Sequence, residues 1–135
     1  MPPESNLSKR VVNGLRQFGN IHSVIRIESG MTMRGIPDIN YFFSKDKSGW
    51  CELKYIPGLP VTKTSLPKYT SEQRLFAKRR TESGEKVFLL IQAGQEHFLF
   101  NSYDVKSHMS KQDFYNLSKK SWGLSINFLE LYELL

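Results

Sequence analysis

The sequence predicts an α/β fold, a central mixed sheet flanked by helices, and three observations carry that prediction. An early segment places apolar residues at helical spacing. Several short runs rich in β-branched and aromatic residues read as strands. The two patterns alternate along the chain as helix, three strands, helix, two strands, helices. At 135 residues the chain suits one domain over 1–135 with a single core. Its core would span about residues 5–100, with a helical C-terminal part over about 104–135.

Leu7, Val11, Leu15 and Phe18 are spaced by four, four and three, giving a helix with one packed face that ends near Gly19. Residues 22–28 read as a strand through Val24-Ile25-Arg26-Ile27, followed by a Gly- and Met-containing connection over 29–35. Residues 38–44 and 49–56 read as two more strands, pairing as an antiparallel hairpin through 45–48. Pro57, Pro60 and Pro67 argue against any regular element over 57–69. A loop of that length in a compact domain is functional or mobile.

Residues 70–82 read as a helix, opened by a capping box of Thr70 and Gln73 and stopped by Gly84. Val87-Phe88-Leu89-Leu90-Ile91 is the continuous apolar run of a strand buried on both faces. A tight turn at 93–95 leads into an edge or penultimate strand at 97–100. Residues 104–135 read as one or two helices, the last around Ile126, Phe128, Leu129, Leu131 and Leu134.

Apolar content of 39% and aromatic content of 13% exclude a disordered chain. No stretch reaches the ~18 apolar residues needed to span a bilayer, and the start Met-Pro-Pro-Glu-Ser-Asn lacks the basic and apolar regions of a signal peptide. A soluble, intracellular protein without a membrane partner is expected. Cys51 stands alone, which excludes an internal disulfide and a cysteine-rich zinc site, and it is expected to be a small buried side chain. His22, His97 and His108 have no ligand spacing and read as surface or packing residues. Nineteen Lys and Arg against thirteen Asp and Glu give a net charge of +6, a balance that favours a polyanionic partner.

The chemistry concentrates in Glu52-Leu53-Lys54. On a strand Glu52 and Lys54 project from one face, Cys51 and Leu53 from the other. Hairpin pairing brings Asp38 to the same end of the sheet as Glu52. Two carboxylates there, with the Leu53 backbone carbonyl as a further donor, form a hard-oxygen site suited to Mg²⁺. Lys54 beside them can hold and polarise an attacking water, while the metal stabilises charge developing on phosphorus.

Pro37-Asp38, thirteen residues, then Glu52-Leu53-Lys54 resembles the PD-(D/E)xK nuclease signature. Gly35-Ile36-Pro37-Asp38-Ile39, the stretch from Trp50 to Pro57, Thr70-Ser71-Glu72-Gln73-Arg74 and the strand from Val87 to Gln92 are similar to the VRR-NUC branch and phage Holliday-junction resolvases. The resemblance covers about residues 22–100. It implies a restriction-endonuclease-like core, Mg²⁺ or Mn²⁺ on Asp38 and Glu52, and assistance to the nucleophile from Lys54. It also implies branched DNA as substrate and, since a junction needs two symmetric cuts, a two-fold homodimer. The apolar C-terminal helix is the candidate interface.

Gln73 matches a glutamine that recurs in this group near the site; its other role is the capping box. Many relatives carry an extra acid on the first helix, where Glu4 is the available one; its alternative is a solvated charge. Glu28, at the end of the first strand, competes for a supporting role or is a surface charge. Lys63, Lys68, Arg74, Lys78, Arg79 and Arg80 are candidate phosphate contacts, or else a solvated face. Two other functions stay open: a nicking, repair or restriction-type endonuclease on duplex or single-stranded DNA, and a nucleic-acid-binding module that does not cut.

Overall fold

The computed structural model describes residues 3–27, 35–66 and 69–135. Helix α1 (Pro3–Arg16) opens on a proline, whose missing N–H costs nothing in a first turn, and buries Leu7, Val11, Val12 and Leu15. Strand β1 (Val24–Arg26) is shorter than the apolar run predicts because residues 20–23 form a turn. There the Asn20 side chain accepts from the His22 N–H at 2.8 Å, and Ser23 Oγ accepts from the Asn20 N–H at 3.0 Å. Strands β2 (Ile39–Ser44) and β3 (Lys47–Ile56) form the hairpin. Ser44 already pairs with Lys47, so the turn is tighter than predicted and β3 begins two residues earlier.

The segment over 57–69 departs from the expectation of no regular element. It contains a two-residue strand, β4 (Thr64–Ser65), which pairs with β7 (His108–Met109) and leaves Pro57 and Pro60 outside the ladder. Helix α2 (Ser71–Glu82) carries the capping box, and β5 (Lys86–Ala93) and β6 (Glu96–Asn101) follow with Gly94 at φ +62° in the turn between them.

The C-terminal part, expected to be one or two helices, is not purely helical. It holds a 3-10 turn at Ser102–Asp104, β7, helix α3 (Lys111–Leu117), strand β8 (Lys120–Trp122) and helix α4 (Phe128–Leu134). The main sheet therefore runs β1-β2-β3-β5-β6-β8 and reaches beyond residue 100. Among the described residues only the β3–β5 pair is parallel, bridged by α2, and β8 at the edge makes β6 penultimate.

Strand alternation splits the core. Cys51 and Leu53 of β3, with Phe88 and Leu90 of β5, face α1 and α4. Leu89, Ile91 and Ala93 face the other way, onto Tyr69, Met109 and Phe114. Most apolar residues of α4 serve this interior. Leu131 is buried, Phe128, Tyr132 and Leu134 pack on the first cluster, and of the helix's apolar residues Leu129 alone stands half-exposed. That leaves little apolar surface on α4 for the interface its sequence suggests.

Candidate active site

Strand β3 outruns β2, and the site lies in the gap. The β2–β3 ladder stops at Ile39↔Cys51, while β3 stays paired to β5 as far as Ile56↔Ala93. Two carboxylates take the N–H groups that β2 leaves open. Leu53 N–H donates to Asp38 Oδ2 at 2.9 Å, and Tyr55 N–H donates to Glu4 Oε1 at 3.2 Å. Unpaired buried amides are costly, so these contacts are structural whatever else the acids do. A strand residue's N–H and C=O face the same edge, so the Leu53 carbonyl faces this gap too.

Glu52 and Lys54 project toward α2 and are 4% and 9% exposed. Glu52 Oε1 accepts from the Asp38 N–H at 3.2 Å, and Lys54 Nζ lies 3.3 Å from Oε2. Gln73 Nε2 donates to that same oxygen. The Gln73 carbonyl meanwhile accepts from the Thr70 N–H at 3.0 Å, and Thr70 Oγ1 accepts from the Gln73 N–H at 3.2 Å. The cap and the contact with Glu52 thus coexist in one side chain. Gly35 brings the segment before Asp38 hard against α2: its φ is +91°, and a Cβ there would lie 2.5 Å from the Glu72 carbonyl oxygen.

Burial, then the neighbouring Asp38 carboxyl, holds the Glu52 carboxyl far above the usual carboxylate range, and Lys54 opposes the shift only in part. Burial and the same two acids also raise the Cys51 thiol, which is enclosed as expected. A buried acid short of positive charge is a fit place for a cation. The donors are two carboxylates and a backbone carbonyl, all hard oxygens. Among the described residues no three His, Cys, Asp or Glu side chains gather as a metal cage.

A cleft of about 210 Å³ opens beside Asp38, lined by Glu4, Ser5, Ser8, Arg26 and Leu53 among others. Arg26 was not singled out from the sequence; its only signal there is a lone charge within Val-Ile-Arg-Ile. The candidate phosphate contacts lie elsewhere. Lys63, Lys78 and Arg79 are exposed, but none lines the cleft. Arg74 donates to the Val105 and Lys106 carbonyls at 3.0 and 3.1 Å and lies over the Tyr69 ring, so its guanidinium is engaged internally. Arg80 pairs with Glu85 at 2.9 Å and covers Trp50 and Phe76. Lys68 and Glu28 fall outside the described residues. A larger groove of about 750 Å³, lined by residues including Leu59, Gly94 and Leu124, holds none of the candidate site residues.

The sheet order, the single parallel pair bridged by α2 and the acids at the β2–β3 gap define a restriction-endonuclease-like α/β fold. Neither a family model nor a curated protein matches the chain by sequence. In fold the chain is similar to Archaeoglobus fulgidus Hjc, a Holliday junction resolvase from an archaeal hyperthermophile, which superposes with a TM-score of 0.60 at 13% identity, covering 82% of this chain and 91% of that one. Among the described residues no helix is long and apolar enough to cross a membrane.

Proposed function

We propose that the protein is a metal-dependent endodeoxyribonuclease of the PD-(D/E)xK type that cuts branched DNA, with four-way junctions as preferred substrate. The observation that carries the reading is the convergence of Asp38, Glu52 and Lys54 where β3 outruns β2. The fold shared with a junction resolvase supports the choice of substrate.

In this reading Asp38, Glu52 and the Leu53 carbonyl would hold Mg²⁺ or Mn²⁺, which would supply Lewis-acid stabilisation of charge developing on the scissile phosphate. Lys54 holds and orients the attacking water from the α2 side, its ammonium kept in place by Glu52. Gln73 keeps Glu52 an acceptor by donating to it. Glu4 holds the end of β3 through Tyr55 and adds negative charge to the cleft that Asp38 lines. Arg26, in the same cleft, is suited to contact a backbone phosphate. A homodimer would deliver the two symmetric cuts a junction requires.

The test is cleavage of a labelled four-way junction and a matched linear duplex, in Mg²⁺ or EDTA, by wild type, Asp38→Ala and Lys54→Ala. Paired, metal-dependent cuts on the junction that both variants abolish are expected. Equal cutting of duplex would retain the site and change the substrate. Binding without cutting in Mg²⁺ and Mn²⁺ alike would remove the catalytic reading.

A further inference from the structure

Ser8 lies on α1 one turn after Glu4 and is 5% exposed, yet among the described residues its hydroxyl has no hydrogen-bond partner. Buried hydroxyls are almost always paired. A helical serine has a ready partner in the carbonyl four residues back, here that of Glu4, and Ser8 does not use it. Ser8 also lines the cleft that holds Glu4, Asp38 and Arg26.

We infer that the Ser8 hydroxyl is a substrate-binding group, donating to a phosphate oxygen of a nucleic-acid strand held in the cleft. The inference rests on the nuclease reading above and extends it to α1. Rotation between staggered wells about Cα–Cβ redirects the hydroxyl without moving the helix. A phosphate oxygen is a strong acceptor for it, and the Arg26 guanidinium in the same cleft offsets part of the charge that Glu4 and Asp38 would set against an anion. An unpaired buried hydroxyl weakens the free protein, whereas a contact made only with DNA strengthens the complex. Its removal should therefore move stability and binding in opposite directions. A packing role would move them together.

The experiment measures binding of a labelled four-way junction in EDTA across a salt series, with thermal midpoints, for wild type, Ser8→Ala, Ser8→Thr and a control at another unpaired buried hydroxyl, Ser102→Ala. Ser8→Ala should bind about tenfold more weakly with an unchanged salt slope, since no charge is lost, and melt no lower than wild type. Ser8→Thr should restore binding, and Ser102→Ala should bind as wild type. Equal binding by Ser8→Ala and wild type would overturn the inference and leave the nuclease reading standing. A binding loss matched by a lowered midpoint would overturn it as packing. A wild type that neither binds nor cuts the junction would overturn both.

Discussion

Gln73 donates to Glu52 through an amide whose other end is already held by the Thr70 N–H. Its orientation is therefore fixed by the helix cap, and it can meet Glu52 only as a donor. Gln73→Glu keeps an acceptor for Thr70 but sets a second carboxylate against Glu52. Helix α2 should persist by circular dichroism while junction cleavage falls at least about tenfold, as expected for losing a hydrogen bond to a charged group. Gln73→Ala should lose the cap as well, at a cost of about 1 kcal/mol. Wild-type cutting by Gln73→Glu would remove the role assigned to this contact.

The raised Glu52 carboxyl gives the metal-free protein a pH dependence of definite sign. A group whose pKa rises on folding adds stability in full below its unfolded value, about 4.3 for Glu, and loses it as pH climbs through the folded value. In EDTA the thermal midpoint should fall on going from acid to alkaline buffer, and Mg²⁺ should restore it at the alkaline end. Asp38→Asn removes a charge that raises Glu52 and should flatten the slope. A midpoint that climbs with pH would contradict the electrostatic account.

His97 works in the opposite range. It is buried, its Nδ1–H donates to the Gly123 carbonyl at 2.8 Å, and Arg10 Nη1 lies 3.3 Å from Nε2. Burial lowers its pKa most; Arg10 adds to that, and the Gly123 contact opposes it. Its stability contribution is complete above the unfolded value of about 6.5 and is lost as pH falls through the lower folded value. Denaturant titrations from pH 7 to 5 should show the loss, and His97→Gln should reduce it. An unchanged profile in that variant would assign the loss to other groups.

Gly35→Ala combines a positive φ with a Cβ in contact with the α2 backbone. Strain of roughly 1–3 kcal/mol is expected, read as a lower midpoint. Cutting should fall further than stability explains, because the strained segment delivers Asp38. Full activity at a temperature where the variant remains folded would show that Asp38 is placed independently of Gly35.

Periodicity made most of this architecture legible. The Leu7/Val11/Leu15 stripe, the apolar run of β5 and the alternation that sets Glu52 and Lys54 on one face are properties of contiguous residues. The capping box also stands in four consecutive residues. What escaped depends on partners distant in sequence. Strands β4, β7 and β8 have two or three residues each, too few to show a period, and exist because another segment offers a ladder. The length by which β3 outruns β2 is a matter of register, so the hydrogen bonds from Leu53 and Tyr55 to Asp38 and Glu4 could not be read from spacing. The same is true of Arg26, which the β1–β2 pairing brings beside Asp38. The internal contacts of Arg74 escape for the same reason, since its carbonyl partners come from residues 105 and 106.

The mixed neighbours of β3 also set an order of assembly. Asp38 and Glu52 stand fourteen positions apart in a hairpin with a tight turn, and such hairpins close within microseconds. The parallel partner β5 arrives only after α2 has formed and crossed over, a non-local closure that is slower. The two acids therefore meet while water still surrounds them, and the arrival of β5 and α2 strips that water away. Without a cation, that late closure favours the protonated form of Glu52 as the chain becomes native. The rate of this step, more than that of the hairpin, should respond to the pH and divalent-ion content of the refolding buffer.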